Sequence, residues 1–206
     1  MKHFGRVLLF GLLSLVMVGL ASADVVLYDY DSSDENWRDI SYSSASQSYD
    51  SGKNALYLQV TILDGNDGEA VTESPDKIDF SKYDEFKVDY KVYDMNGGSE
   101  SRFRIYSTTS QGTKRDQYIT YESQPSTGSY TLTGDVSSIS EDRYVQFESL
   151  TDARFNYGSD IYVKEFRAVL SNQDPQFNST SVNPDPPLIG ETADFSYSAS
   201  DPDGTI

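Results

Sequence analysis

Between Phe86 and Tyr93 the chain alternates without a break. Phe86, Val88, Tyr90 and Val92 fall on one side, and Lys87, Asp89, Lys91 and Tyr93 fall on the other. A period of two, with β-branched and aromatic residues on one side, is the pattern of a half-buried strand. One sheet cannot bury its own apolar face, so this strand requires a second layer over it. The polar, turn-rich stretch from Asp79 to Asp84 delivers the chain across an edge into that strand.

The same pattern recurs on either side. Ala55–Leu63 places Leu56, Leu58, Val60 and Ile62 inward and Tyr57, Gln59 and Thr61 outward. Arg102–Thr108 places Phe103 and Ile105 inward and Arg102, Arg104 and Tyr106 outward. Val25–Tyr30, Glu69–Glu73, Gln117–Tyr121, Ser129–Thr133 and Arg143–Leu150 read as further strands, the last burying Val145 and Phe147. Ser41–Ser51 reads as a frayed strand or a loop. In Asp160–Leu170 the apolar phase slips between Val163 and Phe166, which predicts a β-bulge. Asp50–Asn54, Asp64–Gly68 and Met95–Ser99 are turns, and no helix is expected beyond the first 23 residues. Short strands at turn-punctuated spacing, without βα alternation, define an all-β fold, an antiparallel β-sandwich.

Both ends of the chain differ from this middle. Lys2 and Arg6, the apolar run Val7–Leu20 and Ala21-Ser22-Ala23 have the layout of a cleaved export leader spanning 1–23. The run is short for a membrane span, so no membrane insertion is expected once the leader is removed. Past Ser171 four of the seven prolines crowd into Asn172–Pro187, which reads as a linker and domain start over 173–187. Asn178-Ser179-Thr180 within it is an acceptor sequon. Asp194–Ser198 looks like a strand, and Asp201-Pro202-Asp203-Gly204 like a turn whose partner strands are missing.

Several function classes are excluded by what is absent. The single histidine is His3, inside the leader, and there is no cysteine. Ser-His-Asp and Cys-His nucleophilic machinery and ordinary zinc sites are therefore ruled out. A formal charge of −17, made more negative by loss of Lys2 and Arg6, argues against nucleic acid and anionic membranes as partners. Carboxylate-only glycoside hydrolysis is left, but no close acidic pair recurs along one strand face.

The residues VLYDYDSSDENW at Val26–Trp37, DSGKNALYLQV at Asp50–Val60, IDFSKYDEFKVDYKV at Ile78–Val92 and SDIYVKEFRAV at Ser159–Val169 carry a resemblance. In that order they resemble the galactose-binding-like jelly rolls, which include many carbohydrate-binding modules of secreted enzymes. The resemblance spans about 24–172 and implies a jelly roll. PPLIGETADFSYSASDPDGTI, ending at Ile206, resembles the opening of a PKD-type or related immunoglobulin-like domain, here incomplete over 188–206. Such domains are non-catalytic spacers in secreted and surface proteins. The chain is thus expected to be part of a longer multidomain protein, secreted or held at the cell surface.

The jelly-roll resemblance implies a structural calcium ion joining the opening and closing strands. Carried over, its ligands are Asp29, Asp31 and Glu165, and Lys164 stands where an Asp is common. Calcium accepts several hard oxygen ligands in irregular geometry. The implied function is glycan binding by a non-catalytic, monomeric module whose partner is a polysaccharide or surface glycan. Such a site needs an aromatic platform for the sugar's apolar face and polar groups for its hydroxyls. Tyr57, Gln59, Arg104 and Tyr106 on outward strand faces offer both, and Trp37 is the largest aromatic, with the core as its competing place. The alternative is a structural or adhesive surface domain with no glycan ligand.

Overall fold

The computed structural model describes residues 24–42, 45–61, 68–96, 101–113, 115–151, 158–171, 176–183 and 194–200. The expected leader and the Asp201–Gly204 turn lie outside these residues. In chain order the strands are β1 (Asp24–Asp29), β2 (Arg38–Asp39), β3 (Ala45–Asp50), β4 (Ala55–Thr61), β5 (Gly68–Glu73), β6 (Ile78–Asp79) and β7 (Tyr83–Asn96). They continue as β8 (Arg102–Thr108), β9 (Gln117–Ser123), β10 (Gly128–Asp135), β11 (Asp142–Thr151), β12 (Gly158–Leu170), β13 (Gln176–Asn183) and β14 (Asp194–Ser200). The turn-rich entry to β7 contains a 3-10 turn at Phe80–Lys82, and the Asp79 carboxylate caps it by accepting the Ser81 N–H. Among the described residues no helix is long and apolar enough to cross a membrane.

Two antiparallel sheets form the sandwich. The first runs β10-β7-β12-β4-β3, with β1 added on β12. The second runs β2-β5-β11-β8-β9, with β6 added on β11. Strand β12 pairs with β7 along one edge and shares the other edge between β4 and β1. The bulge expected near Val163 is present: the register with β7 shifts between Val163 and Glu165, where β4 hands over to β1. A bulge at this point lets one strand serve two partners that arrive from different directions.

Sequence alternation and burial agree along β7. Phe86, Val88, Tyr90 and Val92 are buried, while Lys87, Asp89, Lys91 and Tyr93 face out. The inward rings of the two sheets then meet in one aromatic cluster. Phe147 of β11 packs edge-on to Phe166 of β12 at 5.3 Å, and Phe166 packs edge-on to Phe86 of β7 at 5.0 Å. Trp37 lies 3% exposed and stacks on Phe147 at 4.6 Å with 16° between the planes. Its indole N–H finds no acceptor among the described residues, so packing alone holds it.

Two segments differ from the sequence reading. Ala45–Asp50 is a regular strand, because pairing with the clean β4 supplies order that its Ser-rich sequence does not. Gln176–Asn183, in the stretch read as linker, pairs with β14 in a separate two-stranded sheet. The prolines Pro175 and Pro184 flank β13 rather than interrupt it, so every residue of the strand keeps its backbone N–H.

Two stability outcomes follow from this packing. Phe147→Ala removes the ring shared by both sheets and is expected to cost about 3–5 kcal/mol. At roughly 2–4 °C per kcal/mol for a domain of this size, calorimetry should show a large fall in melting temperature. Unchanged melting would place the core elsewhere. Separately, Asp24, Asp79, Asp116 and Asp135 are all held below 3.8, chiefly by hydrogen bonds from Lys87, Ser81, the Thr109 N–H and Ser137 in turn. A depressed carboxylate stabilises the fold above its unfolded value and loses that contribution as pH falls through the folded one. Urea midpoints should therefore hold from neutral pH to about 5 and drop steeply below about 4.

Candidate functional site

The two sheets place the candidate residues on opposite outer faces. Tyr57 and Gln59 belong to β4 and the first sheet, whereas Arg104 and Tyr106 belong to β8 and the second. Trp37 is sealed in the core between them and presents no ring to solvent. The residues expected to act as one site are thus divided between the two sheets. Alternation separates inward from outward residues, but it does not say which sheet a strand joins.

On the first sheet, Tyr57 lies flat against Tyr162 at 4.5 Å, and Tyr93 meets Tyr162 edge-on at 4.9 Å. The Tyr57 hydroxyl donates to the Asp160 carboxylate and accepts from Gln59 Nε2. Partial burial, followed by the Asp160 contact, raises the Tyr57 phenol well above its ordinary value and keeps it a neutral donor. Lys53 Nζ sits 4.4 Å from the Tyr162 ring centre and donates to its hydroxyl at 3.1 Å. Tyr57 and Gln59 therefore spend their polar atoms on neighbours.

The outer face of the second sheet is built in rows by strand register. One row is Arg38, Glu73, Gln146, Tyr106 and Tyr118, and the next is Val71, Glu148, Arg104 and Tyr121. Arg104 Nη1 donates to the Tyr106 hydroxyl at 2.8 Å and lies 3.5 Å from Glu148. A register shift between Ile105 and Tyr106 against β9 decides the outer edge. Tyr118 and Tyr121 are three residues apart and would otherwise face opposite ways. The irregularity brings both outward, 46% and 47% exposed, with ring centres 5.6 Å apart. Burial, with Tyr121 and Tyr106 beside it, pushes the Tyr118 phenol up to about 12, so it stays a neutral donor.

The chain between β8 and β9 folds back over the middle of this face. The Gly112 N–H donates to both Glu73 oxygens at 2.9 and 3.1 Å, with Gly112 at φ +71°. Gln146 Nε2 donates to Glu73 at 2.9 Å and to the Thr113 carbonyl at 2.7 Å. Arg115, itself left-handed at φ 51°, reaches Glu148 at 2.9 Å and Glu69 at 2.6 Å. Glu73, Gln146 and Glu148 are fully buried under this strap. Buried carboxylates persist only when hydrogen-bonded or paired, and the strap supplies those partners. What stays open to solvent is the tyrosine edge.

The expected calcium ligands are Asp29, Asp31 and Glu165, and two of them meet across β1 and β12. Asp29 and Glu165 stand opposite each other as antiparallel partners, as the resemblance implied. The Glu165 carboxylate is held by Arg167 Nε at 2.7 Å, however, and a cation there would face that guanidinium. Asp29 accepts the Asp31 N–H at 3.4 Å. Among the described residues no three of His, Cys, Asp or Glu are grouped so as to hold a metal ion.

Sequence reading missed Tyr118, Tyr121, Gln146, Glu148 and the strap. Gln146 and Glu148 do alternate with Val145 and Phe147, and two buried polar residues on the far face of a core strand were the available signal. The tyrosines gave none, because their common face depends on the irregularity in β9.

No protein-family model and no curated protein matches this chain. Solved structures do. The K3 cleaved adhesin domain of Lys-gingipain from Porphyromonas gingivalis W83 matches with a TM-score of 0.51 at 11% identity, over 71% of this chain and 99% of that one. A family 11 carbohydrate-binding module from Clostridium thermocellum matches with a TM-score of 0.47 at 17% identity, over 71% and 95%. A family 29 carbohydrate-binding module from Piromyces equi gives 0.46 at 11% identity, over 71% and 90%. At such identities the likeness is one of fold.

The strap generates its own test. Glu73→Ala strands the Gly112 N–H and removes one of the two acceptors of the Gln146 amide, a loss of about 1–3 kcal/mol. It is expected to lower the urea midpoint and to speed tryptic cleavage after Arg115. Unchanged cleavage would mean that the strap is held by something other than Glu73.

Proposed function

We propose that the sandwich is a non-catalytic carbohydrate-binding module carried by a secreted multidomain protein, and that its glycan lies along the outer edge of the second sheet. The observation that carries this reading is the pair Tyr118 and Tyr121, turned onto one face and nearly half exposed. A pyranose ring offers an apolar C–H face and a rim of hydroxyls. The tyrosines supply the platform for the first. The guanidinium of Arg102, 5.5 Å from the Tyr121 ring centre, and that of Arg104, the cross-strand partner of Tyr121, supply donors for the second.

The same face supports binding without turnover. Its buried acids, Glu73 and Glu148, are sealed beneath the strap and committed to Gly112, Gln146, Arg104 and Arg115. A glycosidase needs two carboxyl groups that reach the scissile bond from either side. The modules named above offer a precedent for carbohydrate binding on a sandwich of this kind, and the adhesin domain a precedent for adhesion. The leader expected at 1–23 and the β unit at β13 and β14 fit an exported chain with further domains.

An open platform of two rings should bind weakly, with a dissociation constant on the order of 0.1–1 mM. The purified chain would be screened against mannan, xylan and mixed-linkage glucan by affinity electrophoresis and calorimetry. Tyr118→Ala and Tyr121→Ala should each weaken binding about fivefold or more, near 1 kcal/mol, with melting unchanged because both rings are exposed. Binding retained in both variants would move the site off this face. No binding to any neutral glycan would favour the structural or adhesive role.

A further inference from the structure

On the outer face of the first sheet most cations are already matched. Lys87 pairs with Asp24 at 3.0 Å and Glu85 at 3.5 Å. Arg167 pairs with Asp24, Asp89 and Glu165 at 2.6–2.7 Å. Lys53 pairs with Asp50 at 2.8 Å. Lys91 and Lys164 are the exceptions, since neither forms an ion pair with a carboxylate among the described residues. Lys164 donates instead to the Lys53 carbonyl, and Lys91 lies over the Tyr93 ring at 4.4 Å.

Both lysines line one depression. A groove of about 290 Å³ opens between β7, β10 and β12, lined by Lys91, Lys164, Asp89, Ser129 and Thr131. Its one acid, Asp89, is engaged by Arg167 at 2.7 Å and by the Thr131 hydroxyl. Beside Lys91 stands Tyr93, 41% exposed and packed edge-on to Tyr162. The Tyr93 phenol is held below its ordinary value, first by a hydrogen bond from Lys91 and then by the charges of Lys91, Lys53 and Lys164. All three cations therefore act on the same ring.

We propose that this groove binds an anionic sugar residue, its carboxylate or sulfate against Lys91 and Lys164 and its apolar face against Tyr93. The proposal takes its ligand class from the carbohydrate-binding reading but uses the opposite face of the sandwich. The strong acidity of the whole chain does not prevent it. The Debye length is about 8 Å at physiological ionic strength, so distant carboxylates are screened while ammonium groups in contact are not. A neutral glycan would leave both charges unanswered. A ring stacked on tyrosine with an anionic substituent satisfies the ring and the lysines together.

The test runs the full chain through affinity gels containing polygalacturonate, dextran sulfate, neutral mixed-linkage glucan or polyglutamate. Retardation by polygalacturonate or dextran sulfate is expected, weakening as salt is raised, and the gel that retards more tells carboxylate from sulfate. Lys91→Gln with Lys164→Gln should weaken it about tenfold, the double Arg variant should restore most of it, and melting should stay unchanged. Tyr118→Ala should leave it intact, so a failure on neutral glucan and a failure here are read separately. No retardation by either anionic polysaccharide, or full retardation of the double Gln variant, would overturn the proposal. Equal retardation by polyglutamate would also overturn it, by showing attraction to charge without a sugar.

Discussion

The packing of Phe147 against Phe166 is the contact on which the rest of the structure depends. Phe147 comes from the centre of the second sheet and Phe166 from the centre of the first, and their rings meet edge-to-face at 5.3 Å. Trp37 covers Phe147 and Phe86 covers Phe166, so four large rings join elements far apart in the chain. The chain has no cysteine to cross-link it, so this cluster takes the place of a staple. It also fixes the outer faces, since every second residue on β7, β8, β11 and β12 must point away from it.

Which outward residues become neighbours is decided by irregularities in the strands. The shift in β12 after Val163 lets that strand hold both β4 and β1, and so brings Asp29 opposite Glu165. The shift of β9 against β8 turns Tyr118 and Tyr121 onto one side. A one-residue slip reverses the face of everything beyond it, so small irregularities carry large consequences for a surface site. The strap works differently. It covers buried acids in the middle of the second sheet and leaves its tyrosine edge exposed.

Much of the fold was legible in the sequence because inward and outward residues differ sharply in hydrophobicity. The β7 alternation, the inward set of β8 and the bulge in β12 could all be read from the residues. The candidate site was legible only in part. Tyr57 and Tyr106 both lie on outer sheet sides, Tyr106 only 8% exposed with Arg115 over its ring, but their separation onto two sheets depends on long-range pairing that alternation does not encode. Trp37, offered as a possible platform, is core because Phe147 presents a flat ring to it. Of the calcium ligands implied by resemblance, Asp29 and Glu165 are cross-strand partners, and Arg167 pairs with Glu165, a contact alternation does not encode. Tyr118 and Tyr121 were hidden, since their spacing of three contradicts a shared face in a regular strand.

The two outer faces now have distinct chemistry. The second sheet offers exposed rings beside guanidinium groups, and the first offers ammonium groups in a shallow groove beside one exposed ring. The central claim is that the tyrosine edge of the second sheet is where a neutral glycan rests. The most direct measurement is an NMR titration of the isotope-labelled chain with a neutral oligosaccharide that it binds, followed at every assigned amide. The account predicts shifts concentrated on Tyr118, Tyr121, Arg102 and Arg104, with Lys91 and Lys164 still. Shifts confined to the first sheet, or to the loops at the ends of the sandwich, would contradict it.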